Sequence, residues 1–345
     1  MSVGRLLLSY DVLLVDLYGV VWSGSNAFPE ALDALQKLVA AGKEVAIVSN
    51  ASILSSEIIG KYDAANLCKG IHFNHFVTSG DVLRDVLLSG NLPFAVNNNS
   101  MKYFVFGAPN SEVFTGSRLE LTADLDEADF VYLSIPRFSD SERDEMDDKM
   151  KKFLFVARTN GVERRWDSTS IEPYIPWLRT FLKKDKMLVI ANPDKFAVCQ
   201  VLETQDSVAY TPKHVVKQGL IGEMYESMGG KIFVTGKPFP QIYRHALEKL
   251  AIATGVSTNE ICQKRIAMVG DTLETDILGA KNANENIGCK IDGILVLSGI
   301  SASEMAKNPR FNRMDGGMYQ FFAEKKIEPT HVMSALDFDG EIYRY

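Results

Sequence analysis

Asp11-Val12-Leu13-Leu14-Val15-Asp16 is a run of leucine and β-branched residues closed at each end by an acid, with Gly19 three positions further on. A strand buried on both faces of a parallel sheet has this composition, because neither face meets water and no polar alternation is needed. Outward from it, Pro29 to Ala41 reads as an amphipathic helix, with Ala31, Leu32, Leu35, Leu38 and Val39 on one stripe and Gly42 past its end. Glu44-Val45-Ala46-Ile47-Val48-Ser49-Asn50 is then a second buried strand. Strand, helix and strand at this spacing form a right-handed crossover, which places Asp16 and Ser49 at the same edge of one sheet.

The pattern returns late in the chain. Lys231-Ile232-Phe233-Val234-Thr235-Gly236-Lys237, a helix from about Gln241 to Ala253, Arg265 to Asp271 and Ile294 to Gly299 repeat the strand and helix alternation. The stretch between has strands of its own at Tyr103–Phe106, Phe130–Ser134, Phe153–Ala157 and Met187–Ile190. The expected organisation is a core of residues 1–91 and 231–345 with a second α/β domain, residues 92–230, inserted into it. Asn97-Asn98-Asn99-Ser100 is expected as an exposed turn near the first crossing.

Composition narrows the function classes. With 345 residues, 46% hydrophobic and 23% charged, the chain has enough apolar material for a large core. A formal charge of −7 with Lys and Arg scattered along the chain argues against a nucleic-acid surface, which needs clustered cations. The longest apolar stretch, Leu6 to Trp22, is broken by Asp11 and Asp16, so no membrane span or signal core is expected. Cys68, Cys199, Cys262 and Cys289 share no metal or redox spacing and read as reduced thiols of a cytoplasmic protein.

Four short elements follow strands: Asp16-Leu17-Tyr18-Gly19-Val20, Ser49-Asn50, Gly236-Lys237-Pro238, and Gly270-Asp271-Thr272-Leu273-Glu274-Thr275-Asp276. Singly each is an ordinary cap, turn or breaker. Together and in this order they resemble the haloacid dehalogenase-like hydrolases, and within them the type IIA branch of NagD-like and 4-nitrophenyl phosphatase-like enzymes. The resemblance includes Ala191-Asn192-Pro193-Asp194, matching that branch's Asn-Pro-Asp loop, and the Ile-Tyr helix start after Pro238. It implies a Rossmann-like, doubly wound parallel-sheet core with an inserted α/β cap of type C2, and a Mg²⁺-dependent phosphatase acting on a phosphorylated small molecule. Asp16 would be the nucleophile that carries the phosphoryl group. Mg²⁺ would be held by Asp16, the Tyr18 backbone carbonyl, Asp271 and Asp276, hard oxygen donors that suit this ion. Gly19, Ser49, Asn50 and Lys237 would surround the phosphate, with Ser49 and Lys237 also acting in catalysis. Asn192 and Asp194 would face the leaving group from the cap, and any homodimer would form through the cap.

Tyr18 departs from the family's pattern, in which the second residue after the nucleophile is normally an acid that protonates the leaving oxygen and then activates water. A phenol, with a reference pKa of about 10, can donate a proton but is a feeble base at neutral pH. Two rival readings therefore stand beside the first: a metal-independent dehalogenase using Asp16 and Tyr18, and a non-catalytic phospholigand-binding protein. The two acids of the Asp271 and Asp276 element favour a cation and thus the phosphatase. Arg164-Arg165-Trp166 is expected as solvated charge beside a core tryptophan.

Overall fold

The computed structural model describes residues 2–90, 92, 101–108, 112–157, 164–202, 210–311 and 316–343. The turn expected at Asn97–Ser100 lies outside the described residues. Contacts divide the chain into two compact units, one of residues 1–49, 55–78 and 236–345, the other of residues 50–54 and 79–235.

In the first unit seven described strands form one sheet in the order Ile342–Tyr343, His331–Met333, Ile291–Val296, Ile266–Gly270, Val12–Val15, Glu44–Ser49, His75–Thr78. Every pairing is parallel except the last hairpin between His331–Met333 and Ile342–Tyr343. All side chains of Val12–Val15 and Ile266–Gly270 are buried, which is why these segments read as unbroken apolar runs. From Val12–Val15 the chain winds outward in one direction through Glu44–Ser49 and His75–Thr78. It later winds the other way from Ile266–Gly270. This is a Rossmann-like, doubly wound sheet whose strand order reverses between Val12–Val15 and Ile266–Gly270, and sheets of this kind bind ligands at the carboxyl ends of the strands at such a reversal.

Pro29–Ala40 is the first crossover helix, started by Pro29 and burying Ala31, Ala34, Leu35 and Leu38. Pro240–Thr254 buries Ile242, Tyr243, Ala246, Leu247 and Leu250 and ends at Gly255, whose φ of +71° suits a left-handed cap.

The second unit is an α/β unit of its own, whose main sheet has five described strands in the order Ile232–Val234, Met187–Ile190, Phe130–Leu133, Met101–Phe106, Leu119–Leu121, all parallel, beside two antiparallel strand pairs. Alternate residues feed two apolar layers: Met101 and Tyr103 join Phe130, Tyr132 and Val189 on one face, while Phe106 joins Val131, Leu133, Leu188 and Ile190 on the other. Leu83 and Leu87 of the helix Ser79–Ser89 cover the first face, and Leu178 and Phe181 of Ile175–Lys183 cover the second.

Two expectations about organisation change. Ile232–Val234 was expected to begin the returning core, but it pairs with Met187–Ile190 and belongs to the second unit, as does the helix Ser79–Ser89. A short apolar run announces a strand but not which sheet will take it up, since that depends on pairing across long sequence separations. The expectation of four reduced cysteines is also corrected: Cys262 and Cys289 form a disulfide with Cα atoms 4.5 Å apart, and Cys68 is a free thiol. The sheet register explains the pairing, because Ile266 lies beside Ile291 and the two cysteines precede those neighbouring strand starts. Among the described residues no helix is long and apolar enough to cross a membrane.

Arg164 and Trp166 behave as expected of solvated charge around an aromatic ring. Trp166 Nε1 and Arg164 Nε both donate to Asp140, at 2.7 and 2.9 Å, and the guanidinium groups of Arg143 and Arg164 lie over the indole. The tryptophan is half-buried rather than a full core residue.

Candidate active site

Val15 lies beside Val269 in the parallel register, and the Asp16 amide donates to the Val269 carbonyl at 2.8 Å. The two strands therefore end side by side, and each continues with an acid, Asp16 on one and Asp271 on the other. Two residues beyond Asp271, Leu273–Ile277 forms a single π-helical turn that runs into the helix Leu278–Ile287. π-turns inside helices concentrate at functional sites, and this one carries Asp276, whose Oδ2 accepts from the Thr272 amide at 3.0 Å.

Carboxylate oxygens of Asp16, Asp271 and Asp276 lie within 4.8 Å of one another, and all three residues are buried. Lys237, from the loop before Pro240–Thr254, enters the same cluster at 2% exposure. Its Nζ is 2.5 Å from Asp16 Oδ1 and 2.8 Å from Asp276 Oδ1, the latter outside hydrogen-bond geometry. Among the described residues these three carboxylates share one ammonium, so ionising all three would leave two negative charges uncompensated in a buried place.

The titration of these groups follows from that imbalance. Burial pushes the Asp16 carboxyl well above the usual carboxylate range; Lys237 opposes the rise and the charges of Asp276 and Asp271 add to it. Asp271 is pushed up to about 7, first by burial and then by the charge of Asp276. Burial alone would lower Lys237, but the negative charges of Asp16 and Asp276 outweigh it and hold the ammonium above its ordinary value. Such a set is costly when bare and satisfied by a divalent cation, whose charge equals the deficit. The residues present fit Mg²⁺ by donor chemistry, being hard oxygen ligands of the kind this ion takes beside retained waters.

Sequence reasoning missed the segment that seats Asp271. Its Oδ2 accepts from the Ile300 amide at 2.6 Å, its carbonyl from the Ser301 amide at 3.1 Å, and its Oδ1 from Thr272 Oγ1 at 3.0 Å. Gly19, with φ of +82°, approaches the same carboxylate so closely that a Cβ there would lie 2.3 Å from Asp271 Oδ2. Its carbonyl accepts from Ser298 Oγ at 2.6 Å. The signal that could have pointed here was Ser298-Gly299 at the end of an apolar strand, matching the other strand ends.

Ser49 is the buried last residue of its strand, and because Val15 lies beside Ile47 it belongs to the strand end adjoining Asp16. Tyr18 is 43% exposed and accepts a long hydrogen bond of 3.4 Å from the buried Tyr62 hydroxyl. Asn50, Asn192 and Asp194 belong to the second unit. There Asn50 Nδ2 donates to Asp194 Oδ1 at 2.7 Å, and the Asp194 amide donates to Asn192 Oδ1 at 2.9 Å, which makes Asn-Pro-Asp a side-chain-closed turn.

A model of the haloacid dehalogenase-like hydrolases matches residues 13–116, and a second, HAD-hydrolase-like model matches residues 234–315. The 4-nitrophenylphosphatase of Schizosaccharomyces pombe is 27% identical over 304 residues, 86% of this chain and 86% of that protein. The structure of a possible sugar phosphatase from Cytophaga hutchinsonii superposes with a TM-score of 0.62 at 19% identity, covering 99% of this chain and 98% of the other. A glycerol phosphate phosphatase from Mycobacterium tuberculosis, solved in complex with magnesium, gives a TM-score of 0.55 at 18% identity over 99% of this chain and 78% of that one.

Proposed function

Because the chain belongs to the haloacid dehalogenase-like hydrolases, we propose that it is a Mg²⁺-dependent phosphatase that hydrolyses small phosphate monoesters through a phosphoryl group carried on Asp16. The observation that carries this reading is the buried convergence of Asp16, Asp271, Asp276 and Lys237 at the carboxyl edge of the sheet. The magnesium complex of the mycobacterial phosphatase supports the choice of ion.

In this reading Asp16, the Tyr18 carbonyl, Asp271 and Asp276 hold Mg²⁺, which when bound offsets the charge of the phosphate oxygens. The Asp16 carboxylate attacks phosphorus, the bond to the leaving oxygen breaks, and an aspartyl-phosphate forms. Water then attacks phosphorus, releasing orthophosphate and restoring the carboxylate. Lys237 stays protonated beside Asp16 and balances charge on nucleophile and phosphate, while Ser49, Gly19 and Asn50 donate to or frame the phosphoryl oxygens. The test is hydrolysis of 4-nitrophenyl phosphate with Mg²⁺ and with chelator. Full turnover in chelator would remove the metal from the mechanism and favour the dehalogenase-type reading.

Protons compete with the metal for Asp271. With Asp271 pushed up to about 7, the metal-free site holds a proton there below neutrality, so apparent Mg²⁺ affinity is expected to rise as pH increases through about 7. Calorimetric titration of Mg²⁺ across pH in two buffers reads both the affinity and the released proton. Asp271→Asn is expected to weaken Mg²⁺ binding and to remove the Asp271 share of this pH dependence, leaving that of Asp16; unchanged metal dependence would take Asp271 out of the ligand set.

Tyr18 sets the leaving-group range. With no second acid two residues after Asp16, a poor leaving group departs with only phenol assistance. General acid catalysis is worth about 10²–10⁴-fold, so alkyl phosphates should lag aryl and acyl phosphates strongly. Tyr18→Asp is expected to flatten that dependence, and Tyr18→Phe to slow alkyl esters alone. A series of monoesters of graded leaving-group pKa reads both. Efficient alkyl ester hydrolysis unaffected by Tyr18→Phe would place the acid elsewhere.

A further inference from the structure

We infer that Asp194 is a positioning residue, whose carboxylate holds the Asn50 side chain and thereby fixes the main chain that follows Ser49. This rests on the proposed role of Ser49 and Asn50 at the phosphate.

Asn50 is buried, and it is the first residue of the second unit after the core strand that ends in Ser49. Both ends of its amide are engaged within that unit. Nδ2 donates to Asp194 Oδ1 at 2.7 Å, and Oδ1 accepts from Ser79 Oγ at 3.3 Å. A hydrogen bond to an ionised acceptor is about twice as strong as a neutral one, so the Asp194 contact dominates the orientation of the amide. Ser79 is itself the residue at which the chain re-enters the second unit, and its carbonyl accepts from Thr235 Oγ1 at 3.2 Å, the last residue of that unit. The Gly80 amide donates to the Ala51 carbonyl at 3.1 Å. Asn50, Ser79 and Thr235 therefore tie three chain crossings together, and Asp194 anchors the set.

Asp194 is built to be a fixed acceptor. Its amide is held by Asn192, and its carbonyl accepts from the Gly219 amide at 3.0 Å. Gly219 lies so close that a Cβ there would meet the Pro193 carbonyl oxygen at 1.9 Å. An acid pinned on three sides does not need to reach a leaving group to matter. It orients the amide of Asn50 and, with it, the peptide joining Ser49 to Asn50.

The pair can be reversed without losing a hydrogen bond, which gives a direct test. Asn50→Asp sets two carboxylates against each other, and Asp194→Ala removes the acceptor. Each is expected to weaken competitive inhibition by inorganic phosphate and to raise KM by roughly 10–100-fold, with kcat falling less, the scale of a hydrogen bond to a charged group. In the exchanged protein, Asn50→Asp with Asp194→Asn, the amide donates from position 194, the new acid still accepts from Ser79, and phosphate inhibition is expected to return to within about threefold of the wild type. Asp194→Asn alone, which keeps a neutral amide pair, is expected to lie between. Amide hydrogen exchange over residues 50–54 should be faster in Asn50→Asp and Asp194→Ala and slow again in the exchanged protein. That readout needs no turnover, so it separates failure of this inference from failure of the phosphatase reading. An exchanged protein as impaired as Asn50→Asp, or Asp194→Ala with unaltered phosphate inhibition and exchange, would overturn the inference.

Discussion

Asp16→Asn is expected to lower turnover of phosphate monoesters by roughly 10⁴–10⁶-fold, the scale seen when a covalent nucleophile is removed, while raising the Tm of the protein in chelator. The two effects have one cause. The amide has no charge with which to attack phosphorus, and the position also loses an anionic ligand for the metal. Removing that charge also relieves the repulsion among three buried carboxylates that face a single ammonium. For a domain of this size Tm moves by about 2–4 °C for each kcal/mol relieved. Steady-state kinetics with Mg²⁺ and a thermal melt with chelator check both signs. A variant that loses activity and is also less stable in chelator would mean that Asp16 is a structural partner of Lys237 rather than a strained functional group.

Lys237→Ala is the complementary case, with activity and stability falling together. The ammonium is the one cation seen beside Asp16 and Asp276 among the described residues, so its loss leaves all three acids without it. Loss of a preorganised group that stabilises developing charge costs about 10²–10³-fold in kcat. Breaking a buried ion pair by deleting one partner costs about 3–5 kcal/mol of stability. Saturating Mg²⁺ should recover part of the stability, because the metal still neutralises the acids, but not the rate. Kinetics at saturating metal and denaturant melts with and without Mg²⁺ read this. Wild-type kcat in Lys237→Ala would exclude the lysine from the phosphoryl-transfer step.

The core strands were legible because burial on both faces leaves an unbroken apolar run, as in Val12–Val15 and Ile266–Gly270, and because an acid directly after such a run stands out. Asp16, Asp271, Asp276 and Lys237 were each named from the sequence, and they converge. Contacts made by long-range pairing were not legible. Ile232–Val234 carries no mark of which sheet it joins, and the seat of Asp271 at Ile300 and Ser301 lies about thirty residues downstream. Cys262 and Cys289 are separated by 27 residues and meet only because two neighbouring strands start in register. Asp194 is expected from the sequence to face the leaving group, and its hydrogen bond from the buried Asn50 amide is a further contact that a sequence cannot reveal.

The most direct measurement is chemical trapping of the phosphoryl group. The protein with Mg²⁺ is mixed with an acyl or aryl phosphate, quenched in acid within one turnover, digested, and examined by mass spectrometry. The account predicts one phosphoryl group on the peptide that contains Asp16, lost on treatment with hydroxylamine as an acyl phosphate should be, and absent from Asp16→Asn. Turnover of the ester with no phosphoryl group on that peptide at any quench time, or with the group on another residue, would contradict it.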